Sequence, residues 1–186
     1  MKRPIIGIVA RENISDKDAI LMGTNDNNRR CIIRSGGIPI LILPTQNENY
    51  SEFRFKKQIM SELTQAEKED IIKVLDMCDG ILVPGGIKLF EYDRFICEYA
   101  INNDIPILGI CLGMQAMAAA DCMPEKIINI IDNGVNHKTD NLFEHRVRID
   151  KYSMLNDIIS NEEFMVNSRH RCKITKTNKF QIVRIF

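Results

Sequence analysis

The feature that most constrains this chain is a series of short, almost continuous apolar runs, separated by longer segments of mixed polarity. An apolar run of strand length is typical of a parallel strand that is covered on both faces. Strands of this kind alternating with helices predict an α/β fold, with helices on both faces of a doubly wound, mostly parallel sheet. The predicted strands are Pro4–Ala10, Ile38–Leu43, Gly80–Val83 and Ile105–Ile110.

Three segments between these runs have features of helices. Residues Asp16–Ser35 mix polar and apolar side chains at helical spacing and stop at Gly36-Gly37, which is typical of a helix C-terminus. A further helix is predicted at Tyr92–Asn102. Thr64-Gln65-Ala66-Glu67 matches a capping box. It predicts a helix start, with apolar positions at Ile71, Ile72, Leu75 and Met77.

After about residue 125 the pattern changes to shorter or alternating apolar runs, at Lys126–Ile131, His145–Asp150 and Phe180–Ile185. Alternation of this kind is typical of antiparallel strands, and it predicts a small antiparallel extension of the sheet. The sequence has no internal repeat and no Gly/Ser-rich linker. We therefore expect one domain over residues 1–186.

Charge and composition exclude several classes of function. Lys plus Arg and Asp plus Glu both number 25, and no basic patch predicts a nucleic-acid partner. The first apolar run is too short for a signal peptide or a membrane span, which favours a cytoplasmic protein without a membrane partner. None of the six cysteines forms a C-x-x-C pair. We therefore expect no metal site, disulfide framework or cofactor.

One cysteine stands in an unusual context, at Gly109-Ile110-Cys111-Leu112-Gly113 between a predicted strand and a helix. This G-x-nucleophile-x-G pattern is typical of a nucleophile elbow, a sharp strand-to-helix turn whose glycines relieve steric crowding. The turn falls at the carboxyl end of a strand, where doubly wound sheets bind ligands. The positive end of the following helix favours the reactive thiolate. The alternative is a buried structural cysteine at a glycine-assisted turn.

A thiolate that attacks a carbonyl group needs hydrogen-bond donors for the developing oxyanion. The backbone N–H of Leu112, directly after Cys111, is one candidate. A second donor is expected from Val83-Pro84-Gly85-Gly86 at the end of the preceding strand, because glycines allow the backbone to approach a ligand closely. Taken alone, Gly85 and Gly86 would be interpreted as an ordinary turn.

These motifs together resemble a known family. The order "DGILVPGG", a helix and then "IPILGICLGMQAMA" is similar to the class I glutamine amidotransferase-like superfamily, which has a flavodoxin-like fold. The later "VNSRH" (Val166–His170) resembles its gamma-glutamyl hydrolase branch, which includes the gamma-glutamyl-GABA hydrolases. The segments "RPIIGIVA" and "SGGIPILILP" agree, so the resemblance extends over nearly the whole chain.

The resemblance implies a Cys-His-Glu triad that hydrolyses the amide at the γ-carboxyl of a small gamma-glutamyl substrate through a thioester. Cys111 matches the family nucleophile. Gly86 and Leu112 match the oxyanion-hole positions, with Gly85 beside them. The positions that match substrate-binding residues are Gln115, Asn167, Ser168 and His170.

The family's catalytic His and Glu lie in a "QWHPE"-like segment near the C-terminus, and this sequence contains no H-x-E. It ends at "KFQIVRIF", so the resemblance implies a C-terminally truncated member with impaired activity. Three histidines are available as a base. We expect His137 in a polar turn and His145 at a strand edge. His170 is the best placed, although its matched role is in the pocket lining.

Three functions therefore remain open from the sequence. The first is a gamma-glutamyl hydrolase whose turnover is reduced by the missing His and Glu. The second is a glutaminase domain that supplies ammonia to a partner synthetase, against which the "VNSRH" motif argues. The third is a non-catalytic module that binds a gamma-glutamyl compound or senses oxidants through Cys111. A sheet that lacks its last strands would also expose an edge, which favours a homodimer.

Overall fold

The computed structural model describes residues 2–14, 20–45, 52–53, 63–121, 127–129, 140–169, 172–174 and 177–180. The chain divides into two compact units, Met1–Pro124 and Glu125–Phe186. The expectation of a single domain stays a prediction. None of the described helices is long and apolar enough to cross a membrane.

The first unit contains eight strands and four helices among its described residues. In chain order they are β1 (Ile5–Val9), β2 (Arg11–Ile14), β3 (Ile20–Gly23), α1 (Asp26–Arg34), β4 (Ile38–Ile42), β5 (Glu52–Phe53), α2 (Gln65–Leu75), β6 (Gly80–Val83), β7 (Leu89–Phe90), α3 (Glu91–Asn102), β8 (Ile107–Gly109) and α4 (Leu112–Asp121).

Four of these strands form one parallel sheet in the order β4-β1-β6-β8. Val9 pairs with Ile42 across β1 and β4, and Val83 pairs with Gly109 across β6 and β8. The crossover from β1 to β4 runs in one direction along the sheet, and the crossovers from β4 to β6 and from β6 to β8 run in the other. Right-handed crossovers therefore place α1 on one face and α2 and α3 on the opposite face. The predicted α/β class, with a mostly parallel sheet and small antiparallel sheets, is confirmed.

Apolar side chains from the helices are buried with those of the sheet. Ile32 of α1 packs with Ile8 of β1 and Leu82 of β6. In α2, Ile71 and Leu75 are buried four residues apart and so lie on one face of the helix. Burial of apolar surface at about 25 cal/mol per Å² supplies the main stabilisation of such layers.

The capping box predicted at Thr64 is confirmed. The Thr64 backbone N–H donates to Glu67 Oε2 over 2.7 Å, and the Glu67 N–H donates back to Thr64 Oγ1 over 3.3 Å. The helix ends at Leu75, however, so the assignment of Met77 to its apolar face is wrong. Met77 follows the C-cap residue Asp76 and is 58% exposed.

The helix predicted over Asp16–Ser35 is wrong in its first part. Residues Ile20–Gly23 form β3, which pairs antiparallel with β2, and Ile14 pairs with Ile20. The helix begins only at Asp26, where the Asn25 side chain accepts a hydrogen bond from the Asn27 N–H over 2.9 Å. A short run of mixed polarity fits both helical and strand periodicity, and pairing with β2 stabilises this run as a strand. The predicted end of the helix before Gly36 is confirmed.

Two strands expected to be covered on both faces are not. Leu41 in β4 is exposed, and Leu108 in β8 is 62% exposed. β4 and β8 are the outer strands of the described sheet order, whereas β1 and β6 lie inside it. The continuous apolar run predicted the strand but not its position in the sheet.

The second unit contains β9 (Ile127–Asn129), β10 (His145–Arg148), α5 (Met154–Ile159), β11 (Glu163–Val166) and β12 (Cys172–Ile174). β10 pairs antiparallel with β11, and β9 pairs antiparallel with β12. The predicted antiparallel character of this region is therefore confirmed for its first two strands. The third, at Phe180–Ile185, lies outside the described residues except for Phe180.

Candidate active site

Three segments of the first unit follow neighbouring parallel strands and meet at one edge of the sheet. Arg11 comes two residues after β1, Pro84 comes directly after β6, and Cys111 comes two residues after β8. The strand order reverses between β1 and β6. Ligands of doubly wound sheets bind in the crevice outside the carboxyl ends of the strands at such a reversal. These three segments therefore form the candidate ligand-binding edge of the sheet.

Cys111 occupies a sharp turn between β8 and α4. Its backbone is left-handed, with φ of 53°, and its side chain is exposed. The Gly113 N–H donates to the Ile110 carbonyl oxygen over 2.9 Å, and the Gln115 N–H donates to the Cys111 carbonyl oxygen over 3.2 Å. A left-handed residue other than glycine costs about 1–2 kcal/mol, and such residues concentrate at functional sites.

The glycines on either side of Cys111 are required by close backbone contacts. A Cβ atom added to Gly113 would lie 1.9 Å from the Val83 carbonyl oxygen at the end of β6. A Cβ atom added to Gly109 would lie 2.6 Å from the backbone nitrogen of Met114. Both positions exclude any side chain, which accounts for the G-x-C-x-G spacing.

The glycine loop after β6 packs directly against this turn. A Cβ atom added to Gly85 would lie 3.4 Å from the Cβ atom of Cys111. One added to Gly86 would lie 3.1 Å from Cδ2 of Leu112 and 3.1 Å from Cδ of Arg11. The structure thus brings together Cys111, Leu112, Gly85 and Gly86, as the sequence predicts for a nucleophile and its oxyanion donors. Their catalytic roles stay predictions.

The four predicted substrate-binding residues have different surroundings. Gln115 is buried on the first turn of α4 and reaches the Cys111 carbonyl oxygen through its backbone N–H. Asn167 and Ser168 follow β11 in the second unit, where Ser168 is fully buried and Asn167 is exposed. His170 lies outside the described residues.

The other two histidines do not identify a base. His137 lies outside the described residues. His145 is the first residue of β10, as predicted for a strand edge, and its Nδ1 lies 3.4 Å from the Arg146 carbonyl oxygen. Among the residues that the structure describes, no three His, Cys, Asp or Glu side chains form a set that would hold a metal ion.

One residue that the sequence analysis did not identify contacts the glycine loop directly. Arg11 is buried, and its Nε and Nη2 both donate to the Pro84 carbonyl oxygen, over 3.1 and 2.8 Å. Its Nη1 donates to Asp93 Oδ1 over 2.6 Å, and Asp93 is fully buried on α3. Burial raises the pKa of Asp93 to about 6, against the opposing effects of the Arg11 charge and the Phe90 N–H. A signal was available, because Arg11 follows an apolar strand at the same sheet edge as Cys111.

A second contact fixes the end of β1 beside this pair. The Tyr92 hydroxyl donates to the Ala10 carbonyl oxygen over 2.9 Å, and the Tyr92 ring is fully buried. It stacks on the Phe90 ring with the ring centroids 5.5 Å apart. The start of α3 is therefore joined to the residue that precedes Arg11.

A family model described as Peptidase C26 matches residues 91–184, which is half of the chain. The match includes the turn at Cys111 and the segment that contains Asn167 and Ser168. The glycine loop at residues 84–86 lies just before it.

Curated relatives include several CTP synthases. The protein of Lactobacillus acidophilus is 25% identical over 158 residues, which cover 71% of this chain and 29% of the relative. The protein of Lactobacillus helveticus is 36% identical over 88 residues, which cover 45% of this chain and 16% of the relative. The chain thus spans less than a third of the length of these relatives.

A solved structure with a similar fold is the glutaminase domain of CTP synthase from Trypanosoma brucei with bound acivicin. Its TM-score to this chain is 0.56 at 18% sequence identity. The superposition covers 92% of this chain and 68% of that one. At this identity the likeness shows a shared fold.

Proposed function

The chain belongs to the Peptidase C26 family, and from this premise we propose that it is a cysteine hydrolase of the glutamine amidotransferase type. The proposed nucleophile is Cys111, at a nucleophile elbow. One observation carries the proposal: an exposed thiol on a left-handed residue is held between two obligatory glycines, directly against the Gly85 backbone.

The proposed reaction cleaves an amide at the γ-carboxyl group of a glutamyl residue. The Cys111 thiolate attacks the γ-carbonyl carbon, and the resulting oxyanion accepts hydrogen bonds from the backbone N–H groups of Leu112 and Gly86. The C–N bond then breaks, the amine leaves with a proton, and a thioester remains on Cys111. Water hydrolyses the thioester, which releases the γ-carboxylate and restores the thiol.

Proton transfer in this scheme needs a base for the thiol and an acid for the leaving amine. The family resemblance assigns both roles to a histidine that is oriented by a glutamate, and no H-x-E occurs in the sequence. Acylation by a substrate with a good leaving group needs less of this assistance than cleavage of an amide. Acylation of Cys111 and cleavage of an amide are therefore best measured separately.

Two substrate classes follow from different observations. The "VNSRH" segment supports a gamma-glutamyl hydrolase, which releases an amine from a small gamma-glutamyl compound. The CTP synthase relatives and the glutaminase-domain fold support a glutaminase, which would release ammonia from glutamine for a synthetase. Preference for glutamine, or recovery of a synthetase with the purified chain, would favour the second class.

The proposal is tested by hydrolysis of gamma-glutamyl p-nitroanilide and of glutamine, with intact mass recorded in parallel. We expect a thioester or turnover in the wild-type chain, and neither in Cys111→Ala. Turnover would make His170→Ala the next variant, as the test of the base. If neither turnover nor an adduct on Cys111 is found with either substrate, the proposal is wrong and a binding role remains.

A further inference from the structure

We propose that Arg11, paired with Asp93, is a positioning residue that sets the orientation of the glycine loop beside Cys111. This inference rests on the proposed function, because the loop carries the proposed oxyanion donor Gly86. Its structural basis is that one buried ion pair binds both ends of the segment 84–90, which joins β6 to α3.

Arg11 fixes the first end of this segment. Both Nε and Nη2 of its guanidinium donate to one acceptor, the Pro84 carbonyl oxygen, over 3.1 and 2.8 Å. In a planar trans peptide the carbonyl oxygen and the following N–H point to opposite sides. The Gly85 N–H is therefore directed away from Arg11, and rotation of that peptide would break both hydrogen bonds.

Asp93 fixes the other end. Its Oδ2 accepts the Phe90 N–H over 2.9 Å, while its Oδ1 accepts Nη1 of Arg11 over 2.6 Å. The side chain of Arg11 also limits the space beside the loop, because its Cδ would lie 3.1 Å from a Cβ atom added to Gly86. Arg11 and Asp93 thus determine where the segment begins and where it ends, and the Arg11 side chain determines how closely Gly86 packs against it.

The fork of the guanidinium is essential to this arrangement. Three of its N–H groups are used, two on Pro84 and one on Asp93. A lysine ammonium is a point charge that keeps the ion pair but does not reproduce the planar, bidentate geometry. Arg11→Lys therefore preserves the buried charge and releases the Pro84 peptide.

The test compares two reactions of Cys111 in the same protein. Gamma-glutamyl p-nitrophenyl ester acylates the thiol with release of nitrophenolate, and its carbonyl oxygen needs the oxyanion donors. Iodoacetamide alkylates the thiol at a saturated carbon and needs none. Loss of one oxyanion donor costs about 10²–10³ in rate, so we expect its misorientation in Arg11→Lys to slow acylation by about tenfold to hundredfold. Alkylation should be unchanged.

Arg94→Lys is the matched control. Arg94 forms ion pairs on the same helix, with Glu91 at 2.7 Å and Glu98 at 2.9 Å, and neither partner belongs to the glycine loop. We expect acylation in this variant to equal that of the wild type. A general loss of helix packing would instead slow both variants.

The outcomes separate the two proposals. No acylation of Cys111 in the wild type would refute the proposed function itself. Equal acylation rates in wild type and Arg11→Lys would refute the positioning role alone. An unfolded variant is recognised by alkylation of Cys97, which is fully buried in the native fold. In that case Asp93→Asn, which keeps the shape of the side chain, is compared with the wild type in the same two reactions. Equal acylation rates would again refute the positioning role.

Discussion

Replacement of Gly113 by alanine tests whether the Cys111 turn depends on direct contact between α4 and β6. The added Cβ atom would lie 1.9 Å from the Val83 carbonyl oxygen and 2.7 Å from its carbonyl carbon, whereas ordinary contact begins at 3.4 Å. Both obstructing atoms belong to the backbone of a central strand. The clash is therefore relieved only if α4 moves away by more than an ångström, and the turn at Cys111 moves with it.

Two opposing effects set the change in the free energy of unfolding of Gly113→Ala. Overpacking of a tight interior costs about 1–3 kcal/mol, and sometimes more. Exchange of glycine for alanine in a helix returns about 0.5–1 kcal/mol. Because the obstacle is backbone, we expect a cost of about 3 kcal/mol, and therefore a net loss of about 2–2.5 kcal/mol in the free energy of unfolding. For a chain of this length the melting temperature should fall by roughly 4–10 °C.

The assay is thermal unfolding followed by circular dichroism, together with the rate at which Cys111 is acylated by the nitrophenyl ester. Gly23→Ala is the control, since a Cβ atom at Gly23 meets nothing within 4 Å. Its melting temperature should equal that of the wild type or lie slightly above it, because alanine restricts the unfolded chain more than glycine does. If Gly113→Ala also melts within about 1 °C of the wild type and acylates normally, the contact with Val83 does not shape the turn.

Three further predictions concern strain, capping and pH. Cys111→Gly should raise the free energy of unfolding by up to about 1 kcal/mol while abolishing acylation, because glycine accepts φ of 53°; an unchanged melting temperature would argue against strain. Thr64→Ala should lower that free energy by about 1 kcal/mol in urea unfolding, through loss of the cap with Glu67. Burial raises the pKa of Asp93 from 3.8 to about 6. Between these pH values the native state retains a proton that the unfolded chain has lost, so the free energy of unfolding falls as the pH rises from 3.8 to about 6. In Asp93→Asn this part of the pH dependence should disappear from unfolding curves.

The sequence predicts elements well where local chemistry determines them. The strand at Gly80–Val83 and the capping box at Thr64 follow from an apolar run and from two side chains three residues apart. The hairpin of β2 and β3 is different, because its strands are stabilised by pairing with each other and have no strong pattern of their own. Which strands lie inside the sheet likewise depends on crossovers that no local pattern records.

The candidate site likewise contains one feature that the sequence predicts and one that it does not. The Cys111 turn is visible in the sequence because its two glycines and its cysteine lie within five consecutive residues, Gly109–Gly113. The pairing of Arg11 with Asp93 joins positions 82 residues apart, so their proximity exists only after β1, β6 and α3 have assembled. Long-range ion pairs of this kind give no periodic signal. Arg11 is recognisable beforehand only as a polar residue at the ligand-binding edge of the sheet.

Labelling with a chloroketone analogue of glutamine, followed by mapping of the modified peptides, tests whether Cys111 is a nucleophile directed at glutamyl carbonyl groups. Cys31 provides an internal control, because both thiols are exposed. We predict rapid labelling confined to Cys111, with protection by glutamine or a gamma-glutamyl compound. Equal labelling of Cys31 and Cys111, without protection by either compound, would contradict it.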